Sequence, residues 1–161
     1  YRLLAAIVKK LEPKLVIEIG TSTGISALAM ERYLPPSSQL ITFDIIGWQQ
    51  MPGSLLCSED FSKGNLIQYT DDLSLANGYE KHRATLEHAD MIFVDAKKDG
   101  KMEEMFIEYF KNTKFKGKPI IIFDDIKNWM MLAIWRKIDR PKMDVTSLGH
   151  FTGTGLVDWT C

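Results

Sequence analysis

Short apolar runs alternate along this chain with longer segments whose apolar residues recur every three to four positions. Residues 3–11 carry the helical spacing and stop near Pro13. Leu15–Ile19 is an apolar run with one acid and predicts a strand. Ile25, Leu28 and Ala29 open a second helix, which Pro35 and Pro36 end. Leu40–Phe43 is the second strand and Asn65–Tyr69 the third. Between them Pro52, Gly53 and Gly64 interrupt the chain, leaving room for a short helix near 55–62. A polar helix over 75–87 places His82 and His88 in solvent. Met91–Val94 is the fourth strand, and Met102, Met105, Phe106, Tyr109 and Phe110 share the face of the helix that follows. Pro119–Phe123 is the fifth strand. Met131, Ile134, Trp135 and Ile138 mark a last helix, with Trp129, Met130 and Met131 read as core packing ahead of pocket lining. Residues 143–148 and 155–159 complete the pattern as two strands of a hairpin around Gly153-Thr154-Gly155.

Strand and helix signals in alternation predict an α/β fold. It is a doubly wound, Rossmann-like, mostly parallel seven-stranded sheet with a C-terminal antiparallel hairpin and helices on both faces. At 161 residues the chain is expected to form a single domain, 1–161, with a sizeable core. It begins at Tyr1 and is already helical there, which suggests a domain trimmed at its N-terminus. A formal net charge of −1 argues against a general nucleic-acid or membrane-surface binder. No apolar run approaches the length of a transmembrane helix, and a cytoplasmic location is expected. Two cysteines are too few for a disulfide framework; Cys57 is read as a half-buried thiol and Cys161 is the last residue.

Candidate chemistry begins at the end of the first strand, where Glu18 precedes Gly20-Thr21-Ser22-Thr23-Gly24 and a helix. In open α/β sheets that junction binds small ligands, and glycine lets backbone approach them closely. A dinucleotide turn would need G-x-G-x-x-G and a P-loop would need Gly-Lys-Ser/Thr; neither is present. The turn instead resembles the first motif of S-adenosylmethionine (SAM)-dependent methyltransferases.

Acids end most of the strands. Asp44, 24 residues after Gly20, suits ribose hydroxyls better than a solvated cap. Asp71 and Asp72 suit an adenine amino group or, equally, a turn before the next helix. Asp95 ends the fourth strand and Asp124-Asp125 the fifth. Parallel strands gather such acids on one sheet edge, where they repel unless a cation or donors compensate. Three carboxylates on neighbouring strands suit Mg²⁺ or another hard divalent cation. A helix cap at Asp124-Asp125 is the competing reading, but it leaves Asp95 unexplained.

Val16–Ser26, Met91–Asp99 and Ile122–Asp125 together resemble the metal-dependent O-methyltransferases of the catechol and caffeoyl-CoA types, in order and over about residues 15–126. The resemblance implies SAM as cofactor, with Asp95, Asp124 and Asp125 as metal ligands and Lys98 as general base. It also implies Ser26 at the methionine carboxylate and Glu18 and Gly20 along the cofactor. Thr21, Ser22, Gly24, Asp44, Asp71, Asp72 and Asp95 complete the cofactor set. The chain departs from the family pattern at Asp125, where asparagine is usual. It also largely lacks the N-terminal helices that shape the family's acceptor pocket, and the tail from His150 to Trp159 matches no signature of the characterised members.

The implied activity is divalent-metal-assisted O-methylation of a small hydroxylated molecule. The protein's main task is to hold the acceptor oxygen in line with the sulfonium methyl. A bound metal would orient the hydroxyl and make it more acidic. Lys98 would have to be neutral to take the proton, which a cation favours and carboxylates oppose. Two other readings stay open: a metal-independent N- or C-methyltransferase, and a non-catalytic SAM-binding module. A small-molecule acceptor is the expected partner, and a homodimer is among the expected assemblies. Lys97 and Lys101 are read as surface charges, and His150 as a lone histidine that can face the site.

Overall fold

The computed structural model describes residues 1–160, so Cys161 lies outside the described residues. Among the described residues there are five α-helices and seven strands. In chain order they are α1 (Arg2–Leu11), β1 (Leu15–Ile19), α2 (Ile25–Glu31), β2 (Gln39–Phe43), β3 (Leu66–Tyr69), α3 (Ala76–Leu86) and β4 (Met91–Val94). Then follow α4 (Lys101–Asn112), β5 (Ile120–Asp124), α5 (Trp129–Lys137), β6 (Lys142–Asp144) and β7 (Thr154–Asp158). The sheet order is β3-β2-β1-β4-β5-β7-β6. β1 to β5 run parallel, while β7 is antiparallel to both β5 and β6. The order reverses between β1 and β4, which creates a crevice at their C-terminal ends.

β1 and β4 sit at the centre because they are apolar on both faces. All four residues of β4 are buried, and so are four of the five in β1. One face packs Ile17, Ile92 and Ile121 against Phe106 and Phe110 of α4 and Trp135 of α5. The other packs Val16, Leu40 and Met91 against Leu4 and Val8 of α1 and Met30 of α2. Helices therefore cover both faces, as the alternation predicts. No helix among the described residues is long and apolar enough to cross a membrane.

Several expectations are corrected. The second helix ends at Glu31, before the proline pair. The helix expected near 55–62 is a single 3-10 turn, Ser58–Phe61. The strand expected over 143–148 is only Lys142–Asp144. There the Asp144 side chain accepts from the Thr146 amide at 3.0 Å, and Thr146–Leu148 turns away as 3-10 helix. Gly155 lies inside β7, so the hairpin closes through a longer loop. Cys57 is exposed, with its amide on the Asp60 carboxylate.

Candidate active site

The loop after β1 is folded by its own glycine and by β2. The Gly20 amide donates to the Phe43 carbonyl at 2.8 Å. Gly20 has φ +104°, and a Cβ there would stand 2.2 Å from the Asp95 carbonyl oxygen, so only glycine lets the β1 and β4 loops touch. The Ser22 amide donates to Asp44 Oδ2 at 2.8 Å, and Asp44 Oδ1 accepts from the Ile46 amide at 3.1 Å. Asp44 thus ties the glycine turn to the end of β2.

Behind the turn lies a buried polar chain. The Thr21 and Thr42 hydroxyls are 2.7 Å apart, and Thr42 donates to Glu18 Oε2 at 2.6 Å. Glu18 is fully buried, and its Oε1 has no hydrogen-bond partner. Burial pushes its carboxyl up to about 8, although the Ser26 and Thr42 hydroxyls pull the other way. Ser26 is itself buried on α2, and Gly24 caps that helix in the left-handed region.

A cavity of about 390 Å³ opens over the turn. Of the predicted cofactor residues it is lined by Gly20, Ser22, Asp44, Asp71, Asp72 and Asp95. Glu18, Thr21, Gly24 and Ser26 are not in its lining. Phe43, Leu73, Met102 and Phe106 supply an apolar wall. Asp72 accepts from the Ser74 amide at 2.8 Å, as a turn residue does. Asp71 accepts from Lys81 at 2.9 Å and meets His82 Nε2 at 2.7 Å, and these hydrogen bonds hold its carboxyl below the ordinary range. His82 is therefore buried, contrary to expectation. It closes on Asp71 of the loop before α3 and packs edge-on against Phe43 of β2, an element far away in sequence.

A second cavity, of about 540 Å³, adjoins the first and shares Asp95 with it. Tyr1 and Leu4 of the N-terminal segment, Phe93, Asp124 and His150 line it. Lys98 is in the lining of neither cavity; it donates to Asp95 Oδ1 at 2.6 Å and to the Ala96 carbonyl at 3.0 Å, with Asp125 Oδ2 at 4.0 Å. Burial pushes the Asp95 carboxyl up; the Lys98 ammonium pulls it back, and the Asp124 carboxylate adds to the rise. Asp125 has φ 58°, a left-handed conformation that aspartate and asparagine enter more readily than other side chains.

Asp124, Asp125 and His150 form a group whose ligand atoms all lie within 4.8 Å of one another. Asp95 stands outside that group. His150 Nε2 is 2.7 Å from Asp124 Oδ1. The contact comes from the pairing of β7 beside β5: Thr154 lies opposite Asp124, which brings the preceding loop to the acids. Trp129 is 87% exposed and Met130 51%, so they face solvent, whereas Met131 is buried as expected.

The chain matches the sequence model of the family described as O-methyltransferase over residues 2–131. It is 39% identical over 44 residues to catechol O-methyltransferase from Mus musculus, a stretch that is 27% of this chain and 17% of that protein. The chain thus matches less than a fifth of that relative's length. A methyltransferase from Geobacter sulfurreducens shares the fold with a TM-score of 0.71 at 15% identity, covering 99% of this chain and 78% of that one. The O-methyltransferase TomG from Streptomyces achromogenes, solved in complex with SAM, does so with a TM-score of 0.66 at 17% identity, covering 99% and 79%. With the sequence match running from α1 into α5 and the same fold around it, the chain belongs to the O-methyltransferase family.

Proposed function

We propose that this protein transfers the methyl group of SAM to a hydroxyl oxygen of a small-molecule acceptor, assisted by a divalent cation. The observation that carries the reading is the pair of cavities meeting at Asp95, one over the glycine turn and the other beside Asp124 and His150. The first has the parts for a nucleoside: Asp44 beside the turn for the ribose, and Phe43, Leu73 and Phe106 as an apolar wall for the base. SAM in this cavity would direct its sulfonium methyl toward Asp95 and the second cavity. An acceptor there meets Phe93 on one side and the acids on the other.

Asp124 and Asp125 offer oxygen donors for a divalent cation, a donor set that fits the group. When bound, such a cation orients the acceptor hydroxyl and favours loss of its proton. The oxygen attacks the methyl carbon as the bond to sulfur breaks. Lys98 would take the released proton as the neutral amine, and Asp95, 2.6 Å from Nζ, would hold the ammonium that forms. Glu18, Thr21, Gly24 and Ser26 act in this reading behind the cofactor, fixing the turn that Gly20 and Ser22 present.

The test is methyl transfer from SAM to a panel of hydroxylated aromatic acceptors. Transfer stimulated by divalent cations and lost in EDTA is expected. Asp124→Ala should lower it by about 10²-fold while leaving S-adenosylhomocysteine affinity intact. Transfer indifferent to EDTA would instead indicate a metal-independent methyltransferase. Normal S-adenosylhomocysteine binding with no transfer to any acceptor would indicate a binding module.

A further inference from the structure

Helix α3 grips the loop after β3 at three points. Gly78 lies against the backbone of Asp72, where a Cβ would stand 2.1 Å from the carbonyl oxygen. Lys81 Nζ donates to both carboxylate oxygens of Asp71, at 3.0 Å to Oδ1 and 2.9 Å to Oδ2. His82 Nε2 lies 2.7 Å from Oδ2. The bonds from Lys81 and His82 hold the Asp71 carboxyl below the ordinary range, so it is ionised at neutral pH. A carboxylate only accepts, and the proton between His82 and Asp71 therefore sits on Nε2.

The two partners of Asp71 differ in stiffness. The Lys81 side chain is 61% exposed and flexible. The His82 ring is buried, with centroids 4.8 Å from both Phe43 and Tyr69, so it cannot follow a carboxylate that turns. A carboxylate offers about four lone-pair positions. Lys81 and His82 take both on Oδ2 and one on Oδ1, which leaves one on Oδ1. Asp71 is in the lining of the first cavity with Phe43 and Leu73, and its side chain keeps 25% of its surface exposed. The free position is thus an acceptor beside the apolar wall assigned to the base. An amino group there gains a charge-assisted hydrogen bond, whereas an oxo group sets its lone pairs against an anion.

We propose that His82 is a positioning residue for the cofactor's base: by fixing Asp71 Oδ2 it aims Oδ1 at an amino group in the cavity, and so selects a 6-aminopurine over a 6-oxopurine. This rests on the SAM reading above.

Calorimetry with S-adenosylhomocysteine and with S-inosylhomocysteine, in which oxygen replaces the 6-amino group, decides the matter. Wild type should bind the adenosyl compound about 10- to 100-fold more tightly. His82→Leu, which keeps bulk without a donor, should bring the two affinities within about threefold of each other. His82→Gln, which keeps an N–H donor, should restore most of the preference. A purely structural role for His82 would weaken both ligands alike and leave their ratio intact, and that result overturns the proposal. If His82→Leu does not fold, Lys81→Met at its exposed position carries the test: the ratio should fall about two- to fivefold, and an unmoved ratio overturns the proposal. Equal binding of the two ligands by wild type sinks the proposal and leaves the SAM reading standing. No binding of S-adenosylhomocysteine by wild type sinks both.

Discussion

Glu18 has no exposed surface, and one of its carboxylate oxygens has no hydrogen-bond partner. A buried acid in that setting holds its proton to about pH 8, well above the ordinary carboxyl value. Between about pH 4.5 and 8 the folded protein keeps a proton that the unfolded chain releases. Stability therefore falls as pH rises through that window, and below it Glu18 contributes no pH dependence. Glu18→Gln removes the titration. Between pH 4.5 and 7 the stability of the variant should gain on wild type by about 3 kcal/mol, read by urea unfolding at both pH values. A constant difference between the two proteins would show that Glu18 does not titrate in the window. A residue-level reading of the sequence reaches Glu18 as an acid beside a glycine turn. It does not reach the burial, because Thr42 and Ser26, which surround the carboxyl, come from other elements.

At the scale of elements, the glycine turn depends on what lies beneath it. Gly20 and Gly53 both have positive φ, +104° and +74°, but only Gly20 has backbone within reach of a Cβ. Gly53→Ala should cost about 1 kcal/mol, the penalty of the left-handed conformation alone. Gly20→Ala must also push Asp95 aside, so it should cost at least about 3 kcal/mol and abolish S-adenosylhomocysteine binding. Thermal unfolding and calorimetry of the two variants separate the effects, and equal losses would show that the approach to Asp95 does not matter. Elements whose signals are local were legible in sequence. β1 and β4 are apolar runs bounded by glycine and by acids, and both were read to the residue. The polar α3 gave no hint that His82 turns inward, since Phe43 of β2 and Asp71 of the loop after β3 hold it. The exposure of Trp129 was equally hidden, because an apolar residue at a helix start carries no mark of the face it takes.

For the whole molecule, the strand order fixes where the two cavities meet. β1 and β4 are neighbours at the reversal of the sheet, so their loops place Gly20 and Asp95 together. A ligand bridging these loops couples both halves of the sheet. Saturating S-adenosylhomocysteine, at about 100 times its dissociation constant, should stabilise the fold by about 2.7 kcal/mol and raise Tm by roughly 5–10 °C. A dinucleotide such as NAD should leave Tm unchanged, since the turn lacks its glycine pattern. An equal shift with NAD would displace SAM from the proposed role. The parallel core and its acidic edge follow from alternation and strand-end acids, and were legible. His150 is legible only as a histidine able to face the site; its contact with Asp124 is not, because it depends on which strand flanks β5.

β7 is inserted between β5 and β6, although it follows both in the chain. During synthesis β5 emerges with one edge open and waits for a partner made after α5 and β6. β1 to β5, with the glycine turn, can close into a sheet before that partner exists. The loop bearing His150 and Thr152 reaches Asp124 only as β7 docks. On the ribosome the cavity over the glycine turn thus matures early and the one beside Asp124 last, so the interval before β7 arrives is when an open, aggregation-prone strand edge is exposed.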